Sequence, residues 1–370
     1  MFSDWFLPGY RAGGPIRSLA NLMNHVPARF RLVTRNRDHN SVEPYRDVPT
    51  NEWVDHAPNV SVLYLAESEL GGPRLKQLLS ERDYHRIYLN SLFSPRFALN
   101  PLRVARTLGL VSRVLLAPRG MLKPGALSVK AGKKRLFLKL ARWTGFYAGI
   151  GWHATSEAEA EEIRAHFGRR ARVLVAPNIS APAQVESPPQ KLSGQLRLVS
   201  VARLSREKGI VEALEFLNAA NLNGDVKLTL YGAEQDPEYA RECRVIASRM
   251  RRHDIHFAGE LHPDQVGSAL AEHHFLYAAT RGENYGHAIA EALVRGVPVI
   301  ISDRTPWKGL EARGVGWDVP LAREDFVRVL RLAHGMSEPE YRRLCDETRR
   351  FGASLAASEE VIAANAALFA

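Results

Sequence analysis

The sequence predicts an α/β protein built as two Rossmann-like domains, and three observations lead there. Short apolar, β-branched runs alternate with helix-like segments in both halves of the chain, as in parallel sheets covered by helices. At 370 residues with 45% hydrophobic content the chain is long and apolar enough for two cores. Between the halves lies P-N-I-S-A-P-A-Q-V-E-S-P-P-Q-K-L-S-G, a Pro/Ser-rich stretch that reads as a linker. The expected division is a first domain over 1–180, a linker over 181–195, a second domain over 196–352, and a terminal helix over 353–370 that crosses back to the first.

The opening W-F-L-P-G-Y-R-A-G-G-P-I-R-S-L-A-N-L reads as a stub of strand, a glycine-rich turn, and a helix with Pro15 in its first turn. Only Phe2–Phe6 is available for that strand, short enough to suggest a start upstream of Met1. Gly13 and Gly14 would let backbone amides approach a ligand closely. Strands are expected at Phe30–Thr34, Val60–Leu65, Ile87–Asn90 and Arg113–Ala117, with helices over Gly72–Arg82 and Leu99–Leu108. Ligands of such sheets sit at the carboxyl ends of the strands, here the Gly13 turn, Asn90–Phe93 and Pro118–Leu122. The loop A-P-R-G-M-L-K-P-G-A-L puts Arg119 at one of these ends, suited to an anionic group.

Lys130–Tyr147 is basic and aromatic. Leu136, Phe137, Leu140, Trp143 and Tyr147 make one apolar stripe flanked by Lys134, Arg135, Lys139 and Arg142, which fits either a membrane-surface helix or a stripe packed on the sheet. A strand at Trp152–Thr155 precedes S-E-A-E, a capping-box pattern opening a helix that ends near Gly168. A strand at Arg172–Ala176 follows.

The second half opens with a buried-type strand, Leu196–Val201, then the turn A-R-L-S-R-E-K-G and a helix from Ile210. Arg203 and Lys208 straddle that turn, where two cations would neutralise a diphosphate. Strands at Val226–Tyr231, Ile255–Ala258 and Phe275–Ala278 alternate with helices near Pro237–Arg252 and Pro263–His273, and a helix is expected over Ser358–Phe369.

Thr280–Asp303, T-R-G-E-N-Y-G-H-A-I-A-E-A-L-V-R-G-V-P-V-I-I-S-D, carries two carboxylates, Glu283 and Glu291. Glu283, Asn284, Tyr285 and Gly286 suit a loop and the alanine-rich run after them a helix, so a helix starts near Gly286 and its free amides and macrodipole favour an anion. Eight residues at 1.5 Å rise set the two glutamates up to about 12 Å apart, a span that suits one acid on a sugar, one on a ribose and a diphosphate between. The bland reading pairs Glu291 with Arg295 at i,i+4 and leaves Glu283 a loop acid.

The charge is uneven. Residues 1–180 carry 27 Lys and Arg against 14 Asp and Glu, a net of +13, whereas the remainder carries 23 against 26, a net of −3. No carboxylate occurs between Asp83 and Glu157, while thirteen Lys or Arg do, a field that would attract anionic lipid, nucleic acid or a phosphorylated acceptor. Two distant cysteines and scattered histidines predict a reduced, cytoplasmic setting with no metal site, and no apolar run is long enough to span a membrane.

E-N-Y-G-H-A-I-A-E-A-L-V-R-G-V-P-V-I, R-L-S-R-E-K-G and G-G-P-I-R together resemble family 4 of the retaining glycosyltransferases, with two Rossmann-like domains facing across a cleft, the GT-B fold. P-R-G-M-L and S-D-R-T-P-W also look like members that build bacterial surface polysaccharides. The resemblance implies that Arg203, Lys208 and Glu283 are the catalytic set, Arg203 and Lys208 holding the donor diphosphate and Glu283 contacting the transferred sugar. Glu291 would bind the ribose, with Gly13, Gly14, Asn284, Tyr285, Gly286 and His287 completing the donor site and Arg119 on the acceptor side. Anomeric configuration would be retained without metal or other cofactor. Pro118 or Arg119 stands where many relatives carry a histidine, and P-N-I at Pro177–Ile179 replaces the usual P-N-G.

The expected partners are a nucleotide diphosphate sugar donor, a glycolipid or oligosaccharide acceptor of polysaccharide or lipopolysaccharide assembly, and an anionic membrane surface, the inner face of the plasma membrane. Two alternatives remain at this level, a GT-B nucleotide-sugar epimerase and a non-catalytic nucleic-acid-binding protein using the basic half. The absence of any recognisable nucleic-acid module in the sequence argues against the second.

Overall fold

The computed structural model describes residues 1–128, 131–356 and 358–370. The chain forms two compact units, Met1–Ile179 with Ala357–Ala370, and Ser180–Ala356.

In the first unit, α1 (Gly14–His25) leads to β1 (Phe30–Arg35), β2 (Trp53–Ala57) and β3 (Val60–Leu65), paired in the order β1-β3-β2. After α2 (Gly72–Ser80) come β4 (Ile87–Leu89), α3 (Asn100–Thr107), β5 (Val114–Leu116), α4 (Pro124–Ser128), α5 (Ala131–Trp143), β6 (Gly151–Ala154), α6 (Glu157–Phe167) and β7 (Arg172–Val175). Strands β4 to β7 lie parallel in sequence order. The stub expected over Phe2–Phe6 contracts to a single bridging residue. Phe2 pairs with Val33 on one side and Leu89 on the other, so it sews the two sets of strands into one sheet. The strand β2 escaped the sequence because W-V-D-H-A is a partly exposed antiparallel edge with no apolar run.

The apolar stripe of α5 splits. Leu138 and Ala141 are buried, and Phe137 and Tyr147 turn inward, their rings 6.4 Å apart. Leu136, Leu140 and Trp143 face out, with Trp143 84% exposed. Lys130, which opens the basic stretch, lies outside the described residues.

The second unit alternates β8 (Gln195–Val201), α7 (Ile210–Ala220), β9 (Asp225–Tyr231), α8 (Pro237–Arg249), β10 (Asp254–Gly259), α9 (Val266–Ala271), β11 (Phe275–Ala278), α10 (His287–Val294) and β12 (Val299–Ser302). It continues through β13 (Gly316–Val319), α11 (Arg323–Gly335) and α12 (Glu338–Leu355). Its six strands are parallel in the order β10-β9-β8-β11-β12-β13. The winding reverses between β8 and β11, and a sheet of this order opens a crevice at the carboxyl ends of those two strands. The last helix, α13 (Glu359–Ala366), belongs to the first unit, where Asn365 Nδ2 donates to Pro177 O at 2.8 Å and Leu368 is buried in the core.

The Pro/Ser-rich stretch expected as a linker is irregular and largely exposed over residues 181–190, and Lys191 anchors its end in the second unit. The Lys191 side chain is fully buried, its ammonium donating to the carbonyls of Leu192, His334 and Met336 at 3.0–3.2 Å. Burial lowers its pKa to about 8. Beside it, Arg197 N donates to His274 Nδ1 at 2.9 Å, so the ring proton is on Nε2 and is donated to Gln190 O at 3.0 Å.

Burial lowers the His274 pKa to about 4. The unfolded chain therefore binds this proton more readily than the folded one, and the stability present above the ordinary histidine pKa near 6.5 falls as the pH drops towards 4, by at most about 1.4 kcal/mol per pH unit from this group. Urea unfolding of wild type and His274→Asn between pH 7 and 4 checks this: the variant is expected to be less stable at pH 7 and to show a shallower fall.

Candidate active site

The crevice at the switch point is made by two loops, residues 202–209 after β8 and residues 279–286 after β11. The turn A-R-L-S-R-E-K-G folds as a short 3-10 helix over Arg206–Lys208 closed by Gly209 at φ +63°. A Cβ at Gly209 would lie 1.9 Å from Ala279 O, so only glycine lets this turn press against the end of β11. The loops are also joined by hydrogen bonds, with Glu207 O accepting from Arg281 N at 2.9 Å and from Thr280 Oγ1 at 3.1 Å.

This contact brings Lys208 and Glu283 together. Lys208 Nζ donates to Glu283 Oε1 at 2.5 Å, and the two side chains are only 15% and 19% exposed. Arg203, on the same turn and half-buried, makes no hydrogen bond or ion pair with any described residue. A half-buried guanidinium without a counter-charge is stabilised by an anionic ligand.

The carboxylate loop is fixed from its other side by residues 303–307, after β12. Glu283 N donates to Arg304 O at 3.0 Å, and Trp307 Nε1 to Tyr285 O at 2.6 Å. The Trp307 ring lies 5.5 Å from that of Tyr285, whose hydroxyl meets Ser180 Oγ at 2.5 Å. Burial raises the Tyr285 pKa, against the pull of the Ser180 hydrogen bond. Gly286 then turns at φ +78° to cap α10, with His287 4.9 Å from the Tyr285 ring. A Cβ at Gly286 would crowd Ile289 Cδ1 at 2.9 Å. Asn284 and Glu291 are half-buried, Glu291 in the second turn of α10. The sequence signalled Trp307 only through the resemblance of S-D-R-T-P-W; its carbonyl contact depends on a loop conformation that no local pattern encodes.

Gly13, Gly14 and Arg119 belong to the first unit. Gly13 caps α1 at φ +72°, and a Cβ there would meet nothing within 4 Å, so its neighbourhood is open. The loop before it is held by Asp38, whose carboxylate accepts from Tyr10 N at 2.9 Å and Arg11 N at 3.2 Å. Arg119 is itself in the left-handed region, at φ +56°, and is fixed by Tyr88, Asn90 and Asn178. The P-N-I departure has a structural reading here: Asn178 accepts from Arg119, and Ile179 is buried in the core. No group of three His, Cys, Asp or Glu able to hold a metal occurs among the described residues.

The sequence model of glycosyl transferases group 1 matches residues 184–328, which spans both loops of the crevice. No curated protein sequence matches the chain. Among solved structures, a trehalose-6-phosphate protein from E. coli bound with UDP-2-fluoro glucose is 12% identical, covering 99% of this chain and 98% of that one with a TM-score of 0.71. Anabaena HepE, in complex with UDP and glucose, is 15% identical over 99% and 97% of the two chains with a TM-score of 0.70. WaaG, a glycosyltransferase involved in lipopolysaccharide biosynthesis, is 15% identical over 95% and 96% with a TM-score of 0.64. The fold of the chain is GT-B.

Replacing Gly209 with alanine adds a clash to an unfavourable φ, and is expected to lower stability by at least about 2 kcal/mol, measured as a shift in the urea midpoint.

Proposed function

We infer from the group 1 glycosyltransferase match, as the premise, that this chain moves a sugar from a nucleotide diphosphate donor to an acceptor hydroxyl with retention of anomeric configuration and without a metal. The observation that carries the reading is the half-buried Arg203, unpaired among the described residues, on the turn that also presents Lys208 to Glu283. Together with the start of α10 these cations supply the charge a metal would otherwise bring to a departing diphosphate. In the reaction the bond from the anomeric carbon to the phosphate oxygen breaks and one to the acceptor oxygen forms. Negative charge grows on the diphosphate, so groups that bind it more strongly as it leaves accelerate the step.

Lys208 has a second role in this reading. With Glu283 as its partner it holds the carboxylate in place against the sugar, and when a diphosphate enters it is shared between the two. Arg203→Ala and Lys208→Ala are therefore expected to weaken nucleoside diphosphate binding at least tenfold, about 1.4 kcal/mol each. Glu283→Ala is expected to leave that affinity within a few-fold while abolishing nucleotide release from the matching nucleotide sugar. Wild-type nucleotide affinity in both cation variants would reject the site. An epimerase would consume donor with no acceptor, and product analysis separates the two.

The acceptor side of the proposal is a lipid-linked polysaccharide or lipopolysaccharide precursor, met at an anionic membrane surface. What supports it is the outward face of α5, where Leu136, Leu140 and Trp143 stand exposed among exposed Lys133, Arg135, Lys139 and Arg142. No helix among the described residues is long and apolar enough to cross a membrane, and an amphipathic basic helix binds at the headgroup boundary instead. The protein is expected to co-sediment with vesicles containing anionic phospholipid at low salt, and the double variant Leu140→Ser, Trp143→Ser to lose at least tenfold in affinity. Equal binding to neutral vesicles, or none to anionic ones, would remove the membrane from the reading.

A further inference from the structure

The first unit contains a polar network separate from the crevice residues of the second unit. Arg119, just past β5, donates through Nε to Asn90 Oδ1 at 2.8 Å, through Nη1 to Asn178 Oδ1 at 2.7 Å, and through Nη2 to Tyr88 Oη at 2.8 Å. Asn90 follows β4, Asn178 follows β7, and Tyr88 lies on β4, so residues of two strands converge on the guanidinium that follows a third, at the carboxyl edge of the sheet. The three partners are at least nine-tenths buried, whereas Arg119 is partly exposed.

The directions follow from two groups with one role each: arginine only donates, and a carbonyl oxygen only accepts. Tyr88 Oη accepts from Arg119, and since Ala176 O can only accept, His153 carries its proton on Nε2 and donates it there at 2.9 Å. In the neutral ring Nδ1 is then unprotonated and accepts from the Tyr88 hydroxyl, 2.7 Å away. A charged His153 would leave the Tyr88 hydroxyl proton without this acceptor. Burial, reinforced by the Arg119 charge, lowers the His153 pKa to about 3 and keeps the ring neutral. The loop is pinned from behind as well, since Glu159, fully buried, accepts from Gly120 N at 2.6 Å and from Thr155 N and Oγ1 at 2.8 Å. The S-E-A-E capping box is thus only half formed: Ser156 accepts from Glu159 N, while the Glu159 carboxylate serves the Arg119 loop.

All three partners of Arg119 are neutral, and among the described residues no carboxylate forms an ion pair with it. Three of its five N–H groups are used. A rigid cation with a left-handed backbone, two remaining donors and no counter-charge in contact is arranged to receive an oxyanion.

We propose that Arg119 binds a phosphate group of the substrate and that Tyr88 and His153 are positioning residues that aim its guanidinium. The phosphate comes either from the donor diphosphate or from a phosphorylated acceptor. Only this choice rests on the glycosyltransferase reading.

The test measures thermal stabilisation and calorimetric affinity of the full chain in two arms. The first uses UDP, GDP and ADP as probes; the second titrates inorganic phosphate and pyrophosphate with whichever nucleotide binds best held at saturation, or without nucleotide if none binds. Arg119→Gln is expected to weaken binding at least tenfold in one arm and leave the other unchanged. Loss in the first arm identifies the donor phosphate, and loss in the second a phosphate on the acceptor. Tyr88→Phe is expected to weaken binding at least threefold in that same arm, an effect that a role in folding alone would not produce. Should Arg119→Gln not fold, Arg119→Lys keeps the charge and loses the fork, with the same expected direction. Wild-type affinity of the arginine variant in both arms overturns the phosphate site, and wild-type affinity of Tyr88→Phe overturns the positioning role. Failure of the donor site instead shows as a wild-type protein that ignores all three nucleotides.

Discussion

The crevice of the second unit depends on the approach of Gly209 to the Ala279 carbonyl. The parallel sheet reverses its winding between β8 and β11, and that alone leaves an opening. It becomes a site because the loop after β8 can lie directly against the end of β11. With any side chain at residue 209 the turn would be displaced, and the reach of Lys208 to Glu283 would be lost with it. A backbone contact thus sets the positions of the charged groups, and the hydrogen bonds from Thr280 and Arg281 to Glu207 O hold them there.

The two units fix their cations in opposite ways. In the second, Lys208 is tied to a carboxylate, so its charge is largely neutralised until an anion competes with Glu283. In the first, Arg119 is tied to two amides and a phenol, so its charge remains intact while its geometry is fixed. A lysine suits the first arrangement, as a compact charge that rotates between two partners; the planar fork of arginine suits the second, where direction matters more than exchange.

Much of the architecture was legible because buried parallel strands are apolar on both faces. V-L-L, G-W-H-A and V-I-I-S are each buried along their whole length, and such runs are found without knowing their partners. The pattern failed where no apolar run stands. Strand β2 is a partly exposed edge, and the short β13 is interrupted by Gly316, which is there because a Cβ would lie 2.1 Å from Val299 O. The Pro/Ser-rich stretch shows a different limit: its composition marks extended chain but not which residue of it is anchored. Lys191 within it is stabilised by three carbonyls, two of them well over a hundred residues away.

The site shows the same division. Glu283, Lys208 and Arg203 stand at sequence positions whose strand-loop-helix context is local, so their placement at strand ends followed from the pattern. Trp307 and Tyr88 act through contacts with distant chain segments, one through an indole donating to a carbonyl 22 residues away and the other through a hydroxyl between Arg119 and His153. Neither contact has a spacing. His153 read as one of several scattered histidines, and only its two hydrogen bonds show that its tautomer is set by the Ala176 carbonyl and leaves Nδ1 to accept from Tyr88. A polar group that orients another is invisible until the partner is known, because its chemistry lies in direction and not in residue type.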